Sequence, residues 1–305
     1  MTPEVVVFGQ IARDLVLRVT DVPGPNGSTT VRSRREMLGG KGANQAVGLA
    51  QLGTPVALVG VVGDDRTGHE LLDHATRDGI DITHTVRREH TPTALLVDIL
   101  DDHPWHRYLE HIPPDVLLTE RDVFAASELI RRADTIVIQL QQPLTAALEA
   151  AHLAHATHTR IVLDGATDNH TPAHADLLAR TDVLRADAHE AELLASRCLN
   201  SITDTAEAAQ QLRKQGPTVV VLEVADEGNL ISSPAGYEFL PHDDAEVLDT
   251  TGAGDALVAT LVHSLVQGDP LSTAARLAVT AAGITTEHAG GRPRLHNLAT
   301  KGTPP

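Results

Sequence analysis

Two short stretches of this chain combine glycine with residues able to handle a phosphoryl group or a hydroxyl. The first is Asp249-Thr250-Thr251-Gly252-Ala253-Gly254-Asp255, which runs directly into the apolar helical pattern ALVATLVHSLV. Gly252 and Gly254 let a ligand approach the backbone, and the first-turn amides of a helix point outward without internal partners. With the helix dipole they form an anion site suited to a phosphoryl group. Asp255 falls in that first turn, where the dipole favours its carboxylate, so it can accept a proton from an attacking hydroxyl. Phosphoryl transfer asks little of such a base, because its loose transition state is stabilised mainly by position and charge. An ordinary capped helix start, with no ligand, would use the same residues.

The second stretch is Leu38-Gly39-Gly40-Lys41-Gly42-Ala43-Asn44-Gln45-Ala46. Glycines around a lysine strip the backbone of side chains, so a polar ligand can lie against its amides, and Lys41 and Asn44 offer donors for hydroxyl groups. It is not a Walker A loop, since Lys41 is followed by Gly42 and position 35 is Arg. The dinucleotide fingerprint fails as well, at Gln45 here and at Leu257 in the later motif. A flexible glycine turn remains the alternative for this stretch taken alone.

The elements that must position these motifs are readable from hydrophobic period. Val5–Gly9, Val56–Gly63, Thr135–Leu140, Ile161–Gly165 and Val219–Val224 are β-branched runs bounded by Gly, Pro or Asp, and read as strands buried on both faces. Between them, Ala43–Leu52, Thr67–Arg77, Pro143–Thr157, Ala188–Arg197 and Asp204–Gln215 carry helical spacing, and two consecutive helices follow at about Gly252–Gln267 and Pro270–Glu287. Alternating strands and helices imply a parallel sheet covered on both sides. Asp14–Glu36 and Thr93–His111 break the rhythm with alternating patterns around a turn. They read as hairpins that pair into a small sheet over the strand ends, where Trp105 covers a substrate or packs on its own sheet. Gly290–Pro305 reads as a tail leaving the fold.

Composition narrows the function. The 305 residues fit one large α/β domain, and 42% hydrophobic content excludes disorder. Lys plus Arg number 24 against 41 Asp plus Glu, a net charge of −17 that repels phosphate backbones, and 2% aromatic content leaves no series of stacking rings. Nucleic-acid binding is thereby disfavoured. Cys198 is the single cysteine, so neither an internal disulfide nor a cysteine zinc pair is available. His152, His155 and His158 fan over roughly 120° of a helix, too wide for joint metal ligation. The start, Met1-Thr2-Pro3-Glu4, lacks a basic leader, and no apolar run approaches about 18 residues. A cytoplasmic protein without a membrane span is expected.

Together the two glycine motifs resemble the PfkB (ribokinase-like) family of carbohydrate and nucleoside kinases, GGKGANQA lying nearest its ribokinase branch. Three segments stand in that family's order: GGKGANQA, VGDDRTG at 62–68 and DTTGAGD at 249–255, and the likeness spans about residues 4–294. The resemblance implies a Rossmann-like, three-layer α/β/α fold with a small β-sheet lid. It implies one kinase domain over residues 1–295, lid segments at about 12–37 and 92–111, and a tail at 296–305. It implies transfer of the ATP γ-phosphoryl to a hydroxyl of a small sugar, ribose or a related pentose or hexose, with Mg²⁺ bridging the phosphates. Asp255 is then the catalytic base, and the amides of Gly252, Ala253 and Gly254 stabilise the transferring group. Asp14, Gly40, Lys41, Gly42, Asn44 and Gln141 face the sugar, while Asp187, Glu223, Gly228 and Gly254 face the nucleotide. Glu190 organises Mg²⁺ through water, and Asp249 and Thr251 hold a monovalent cation such as K⁺. Lid docking on lid implies a homodimer. A nucleoside kinase of the same fold and a non-catalytic sugar- or nucleotide-binding pseudokinase are the rival readings.

Several positions depart from the family pattern. Ala12 replaces an Asn and Gln141 replaces a Glu, both on the sugar side, where lost contacts can change the acceptor. The NxxE element reads Asp187-Ala188-His189-Glu190, placing an extra negative charge beside phosphates unless a cation compensates it. The TLGxxG turn reads Glu223-Val224-Ala225-Asp226-Glu227-Gly228, losing a glycine and gaining acid. Arg294 stands where Ser is typical. Its guanidinium is expected either to take the monovalent cation's place, freeing activity from K⁺, or to point to solvent.

Overall fold

The computed structural model describes residues 3–101, 106–167, 171–225, 227–242 and 247–301. The chain opens with β1 (Val5–Phe8), β2 (Ala12–Arg18), β3 (Ser33–Gly39), α1 (Lys41–Gln51), β4 (Val56–Val59), β5 (Val61–Gly63), α2 (Arg66–Arg77), β6 (Val86–Arg88), β7 (Leu95–Leu100) and β8 (His106–His111). Two short helices, α3 (Glu120–Ala125) and α4 (Ser127–Arg132), lead into an alternating stretch. It comprises β9 (Thr135–Gln139), α5 (Leu144–His155), β10 (Arg160–Asp164), α6 (Pro172–Ala179), β11 (Val183–Ala186), α7 (Ala188–Ala195), α8 (Ile202–Arg213) and β12 (Val219–Val224). The hairpin β13 (Gly228–Ser233) and β14 (Gly236–Pro241) precedes α9 (Ala253–Val266), α10 (Leu271–Thr286) and α11 (His296–Lys301).

An eight-stranded sheet in the order β14-β13-β12-β11-β10-β9-β1-β4 forms the middle layer, parallel from β12 to β4 and antiparallel at its β13–β14 edge. Alternation along each strand divides the core. Val6, Phe8, Ile136, Ile138, Ile161 and Leu163 face the side covered by α3 to α8, and Val5, Val7, Val137 and Val162 face α1, α2, α9 and α10. This is the expected three-layer α/β/α arrangement. After β1 the chain adds β4 on one flank and later β9 on the other, so the strand order reverses at β1. Open α/β sheets bind ligands beyond the carboxyl ends of the strands at such a point.

The two irregular segments form one four-stranded sheet, β3-β2-β7-β8, in which the antiparallel pairs β2–β3 and β7–β8 are joined by a parallel β2–β7 pairing. Two local expectations need correction, and several elements carried no sequence signal. Val56–Gly63 is two strands, because Gly60 packs where a Cβ would meet the Gly9 carbonyl at 2.6 Å, after which β5 leaves to pair with β6. Strands β6, β11, β13 and β14 and helices α3, α4 and α6 were not marked by hydrophobic period. The stretch from Gly290 does not simply depart: Leu295 is fully buried against Ala256 and Ala281, and Leu298 of α11 packs on that cluster.

Gly42 illustrates how tightly α1 is set against β1. A Cβ there would stand 2.6 Å from the Cα and carbonyl carbon of Gly9, backbone atoms that cannot turn away. We therefore expect Gly42→Ala to lower stability by about 1–3 kcal/mol, the usual cost of overpacking. Chemical denaturation measures this, and an unchanged midpoint would show that β1 and α1 separate freely.

Candidate active site

The carboxyl ends of β1, β9, β11 and β12 deliver side chains to a cavity of about 510 Å³, bounded on the other side by the small sheet. Its floor is the start of α9. Gly252 is the N-cap in the left-handed region, at φ 77°, and a Cβ on it would lie 2.0 Å from the Gly291 carbonyl oxygen. Only glycine makes that turn here. The first-turn amides and Asp255 consequently face the cavity, and Asp255 is 6% exposed.

Helix α1 supplies the partners of Asp255. Asn44 Nδ2 donates to its Oδ2 at 3.0 Å, and Gln45 Nε2 donates to its Oδ1 at 3.2 Å. The same Gln45 nitrogen donates to Asp164 Oδ2 at 2.7 Å, and Asp164 Oδ1 accepts from Arg185 Nη1 at 3.2 Å. Burial, and then the neighbouring Asp164 charge, push the Asp255 carboxyl up to about 7; Lys41, Asn44 and Arg185 act against them. A carboxylate of that proton affinity, beside outward-facing amides, can take a proton from a bound hydroxyl at neutral pH.

Asp14 lies on β2, 7% exposed, with its Oδ1 buried and without a hydrogen-bond partner. Burial, with Asp255 and Asp98 adding to it, pushes this carboxyl up to about 7 also. Gln10 Nε2 is another buried group without a partner on the cavity wall. Such orphan groups are rare in folded proteins, and here they face the space a polyhydroxyl ligand would fill. Gly40 and Gln141 line the cavity too, Gln141 from an exposed position. Tyr108 of β8 reaches across it to hydrogen-bond the Thr251 hydroxyl, tying the small sheet to the α9 loop.

At the opposite end, Lys41 Nζ donates to Glu190 Oε1 at 3.0 Å. Glu190 Oε2 accepts from the Asp187 amide, and Asp187 Oδ1 accepts from the Glu190 amide, a reciprocal cap on α7. Burial works against the Lys41 charge, but the Asp164, Glu190 and Asp255 carboxylates outweigh it and raise the ammonium's affinity for its proton. Arg185 is the group that motif reasoning missed. It is 6% exposed, stands 3.8 Å from Glu223 Oε2, and its Nη2 is 2.6 Å from where a Cβ on Gly254 would sit. The Asp187 and Glu223 charges both act on it. This cation partly offsets the two extra acids, and its only sequence signal is its place two residues before Asp187.

Most expected site residues therefore converge, and four do not line the cavity as expected. Gly42 is spent on backbone packing against Gly9. Gly228 pairs with Val224 and Pro241 in the edge hairpin, and its neighbour Asn229 lines the cavity instead. Glu190 is held behind Lys41. Asp249 is fully buried, receiving the Thr251 amide at 2.8 Å and the Gly290 amide at 2.6 Å. Arg294 is exposed, the solvent-facing one of its two expected placements. Trp105 lies outside the described residues.

A family profile described as pfkB family carbohydrate kinase matches residues 2–297. The chain belongs to that family. A pfkB kinase is a phosphotransferase with an alcohol group as acceptor, and so is this protein. Ribokinase of Schizosaccharomyces pombe is 26% identical over 306 residues, covering 96% of this chain and 95% of the relative. A nucleoside kinase of Methanothermobacter thermautotrophicus is 27% identical, covering 94% and 90%. The solved structure of Arabidopsis thaliana ribokinase complexed with ribose and ATP superposes with a TM-score of 0.82 at 23% identity, covering 99% of this chain and 98% of that one.

The two raised carboxyls carry a stability consequence. In the unfolded chain they titrate near 4, so folding tightens their hold on a proton. Their contribution is fully present below about 4 and is lost as the pH rises through about 7. We expect the ligand-free protein to melt higher at about pH 5.5 than at about pH 8, with the gap narrowed in Asp255→Asn. An equal gap in wild type and variant would show that Asp255 titrates as an ordinary carboxyl.

Proposed function

We propose that this pfkB kinase uses ATP to phosphorylate a hydroxyl of a small sugar, ribose or a related pentose or hexose. The observation that carries the reading is Asp255, held by two α1 amides in the first turn of α9 beside the outward amides of Gly252, Ala253 and Gly254. The sugar lies against Asp14, Gly40 and Asn44 under the small sheet, which acts as a lid. Its hydroxyl attacks the γ-phosphorus, its proton passes to Asp255, and the bond to the ADP oxygen breaks. The α9 amides stabilise the transferring phosphoryl. Arg185 and Lys41 place positive charge at the phosphate end, with Asp187, Glu223 and Asn229 along the nucleotide's path. Because Arg185 partly offsets Asp187 and Glu223, the acidic substitutions weigh less toward a non-catalytic binder.

Among the described residues no group of three His, Cys, Asp or Glu side chains is arranged to hold a metal. Asp187 and Glu223 bring carboxylates to the cavity wall, a sparse donor set that suits Mg²⁺, which keeps much of its water and is bound largely through substrate phosphates. Glu190 through water, with Asp187 beside it, would hold the ion, and it would neutralise charge on the phosphates. The buried Asp249 and the Thr251 and Gly290 loop would take K⁺, now that Arg294 is outside it. A second reading, nucleoside kinase, is favoured by the relative of that name; the altered Ala12 and Gln141 do not decide between the two. The outward face of the small sheet, with Leu15, Leu17, Val97, Ile99 and Leu109 in register, supports a homodimer; Leu109 is 61% exposed. No described helix is long and apolar enough to cross a membrane, and a cytoplasmic location completes the reading.

ADP release from Mg·ATP across a panel of pentoses, hexoses and nucleosides tests the proposal. One acceptor class should turn over, K⁺ should raise the rate, and Asp255→Asn should lower it by about 10²–10⁴-fold. Turnover confined to nucleosides would select the second reading, and silence with sugar binding intact would overturn both. Light scattering should give twice the 32.4 kDa chain mass, falling to one chain in Leu109→Glu; a wild-type mass of one chain overturns the dimer.

A further inference from the structure

Asp164 and Gln45 carry no part of the mechanism above, yet both are completely buried and both act on Asp255. One amide nitrogen, Gln45 Nε2, bridges two carboxylates, at 2.7 Å from Asp164 and 3.2 Å from Asp255. Asp164 is itself anchored by Arg185 at 3.2 Å. The result is a chain of buried side chains, Arg185–Asp164–Gln45–Asp255, drawn from β11, β10, α1 and α9.

Each link has a physical effect on the proton acceptor. A carboxylate in water turns freely; one held at Oδ1 by Gln45 and at Oδ2 by Asn44 presents its remaining lone pairs in a fixed direction. N–H donors favour the charged form of Asp255, whereas the Asp164 charge disfavours it, and the two effects oppose each other across a single amide. Gln45 Oε1 and Asn44 Oδ1 are buried without partners. A half-turn of either amide would therefore offer an acceptor to Asp255 once it has received the proton. The other groups facing Asp255 are Lys41 on α1, Arg185 on β11 and Asp14 on β2.

We propose that Gln45 and Asp164 are positioning residues for the reaction: Gln45 fixes the orientation of Asp255, and the charge of Asp164 sets how strongly Asp255 holds the transferred proton. The proposal rests on Asp255 being the base of the kinase described above. It predicts effects on rate and pH dependence that a merely structural role would not produce.

The test is the pH profile of kcat/KM for the accepted sugar in wild type, Asp164→Asn, Gln45→Glu and Gln45→Met, with Asp255→Asn as control. Removing the like charge in Asp164→Asn should move the acid limb down by about one pH unit, and adding one in Gln45→Glu should move it up. Gln45→Met keeps the volume but removes both hydrogen bonds. It should lower kcat by about tenfold or more, with both KM values within about threefold. An acid limb that stays in place in the charge variants, or a Gln45→Met effect confined to KM, overturns the proposal while leaving the kinase reading intact. If Asp164→Asn fails to fold without a partner for Arg185, the upward shift in Gln45→Glu decides alone. Turnover in Asp255→Asn within about tenfold of wild type overturns the reading of the base and this proposal with it.

Discussion

Placing ionisable carboxylates together away from water is costly, and this protein does so with Asp14, Asp164 and Asp255, each less than a tenth exposed. The arrangement holds because cations and amides are interleaved with the acids: Arg185 against Asp164, Gln45 between Asp164 and Asp255, and Asn44 on Asp255. The interleaving depends in turn on how closely α1 and α9 approach. A Cβ on Gly48 of α1 would stand 2.7 Å from the Ala259 Cβ of α9, so small residues at this crossing let the amides of one helix reach the carboxylate of the other. A bulkier pair would move Asn44 and Gln45 out of hydrogen-bond range. The packing of two helices and the chemistry of one carboxylate are thus one problem.

The nucleotide end follows the same logic at larger scale. Asp187, Glu223 and Arg185 look unrelated along the chain, and each alone is a poor neighbour for a triphosphate or for its surroundings. Brought together by β11 and β12, they form a partly balanced set in which one guanidinium faces acids from three elements. Such a set keeps its net charge low in the absence of ligand and leaves the positive edge of Arg185 under Gly254, where phosphoryl groups would gather. The small sheet is tied to the α9 loop through Tyr108 and Thr251, so in the proposed reading excluding water and binding the acceptor come from one element.

What the sequence disclosed followed from local pattern. Buried strands such as Val5–Phe8 and Thr135–Gln139 are continuous apolar runs, the helices starting near Ala43 and Gly252 carry helical period, and the glycine turns before them have distinctive chemistry. Strand β11 escaped because four residues with an arginine among them carry no period, although that arginine is a central charge of the site. Lys41 reads as a hydroxyl donor in its motif, but its partner Glu190 lies 149 residues away, and no local pattern reports an ion pair of that separation. Gly42 and Gly228 share the glycine signal of the ligand-facing positions while serving backbone packing, a distinction that only the neighbouring chain decides. Arg294 has two placements open to it from its motif position, and its exposure matches the solvent-facing one.

The central claim, that the α9 amides and Asp255 form the centre of phosphoryl transfer, is tested most directly by a crystal structure with Mg²⁺, a non-hydrolysable ATP analogue and the accepted sugar. The account predicts the γ-phosphate on the amides of Gly252 to Gly254, with an Asp255 carboxylate oxygen in hydrogen-bond contact with the sugar hydroxyl that faces the phosphorus. A γ-phosphate bound elsewhere, or a reacting hydroxyl beyond the reach of Asp255, would contradict it.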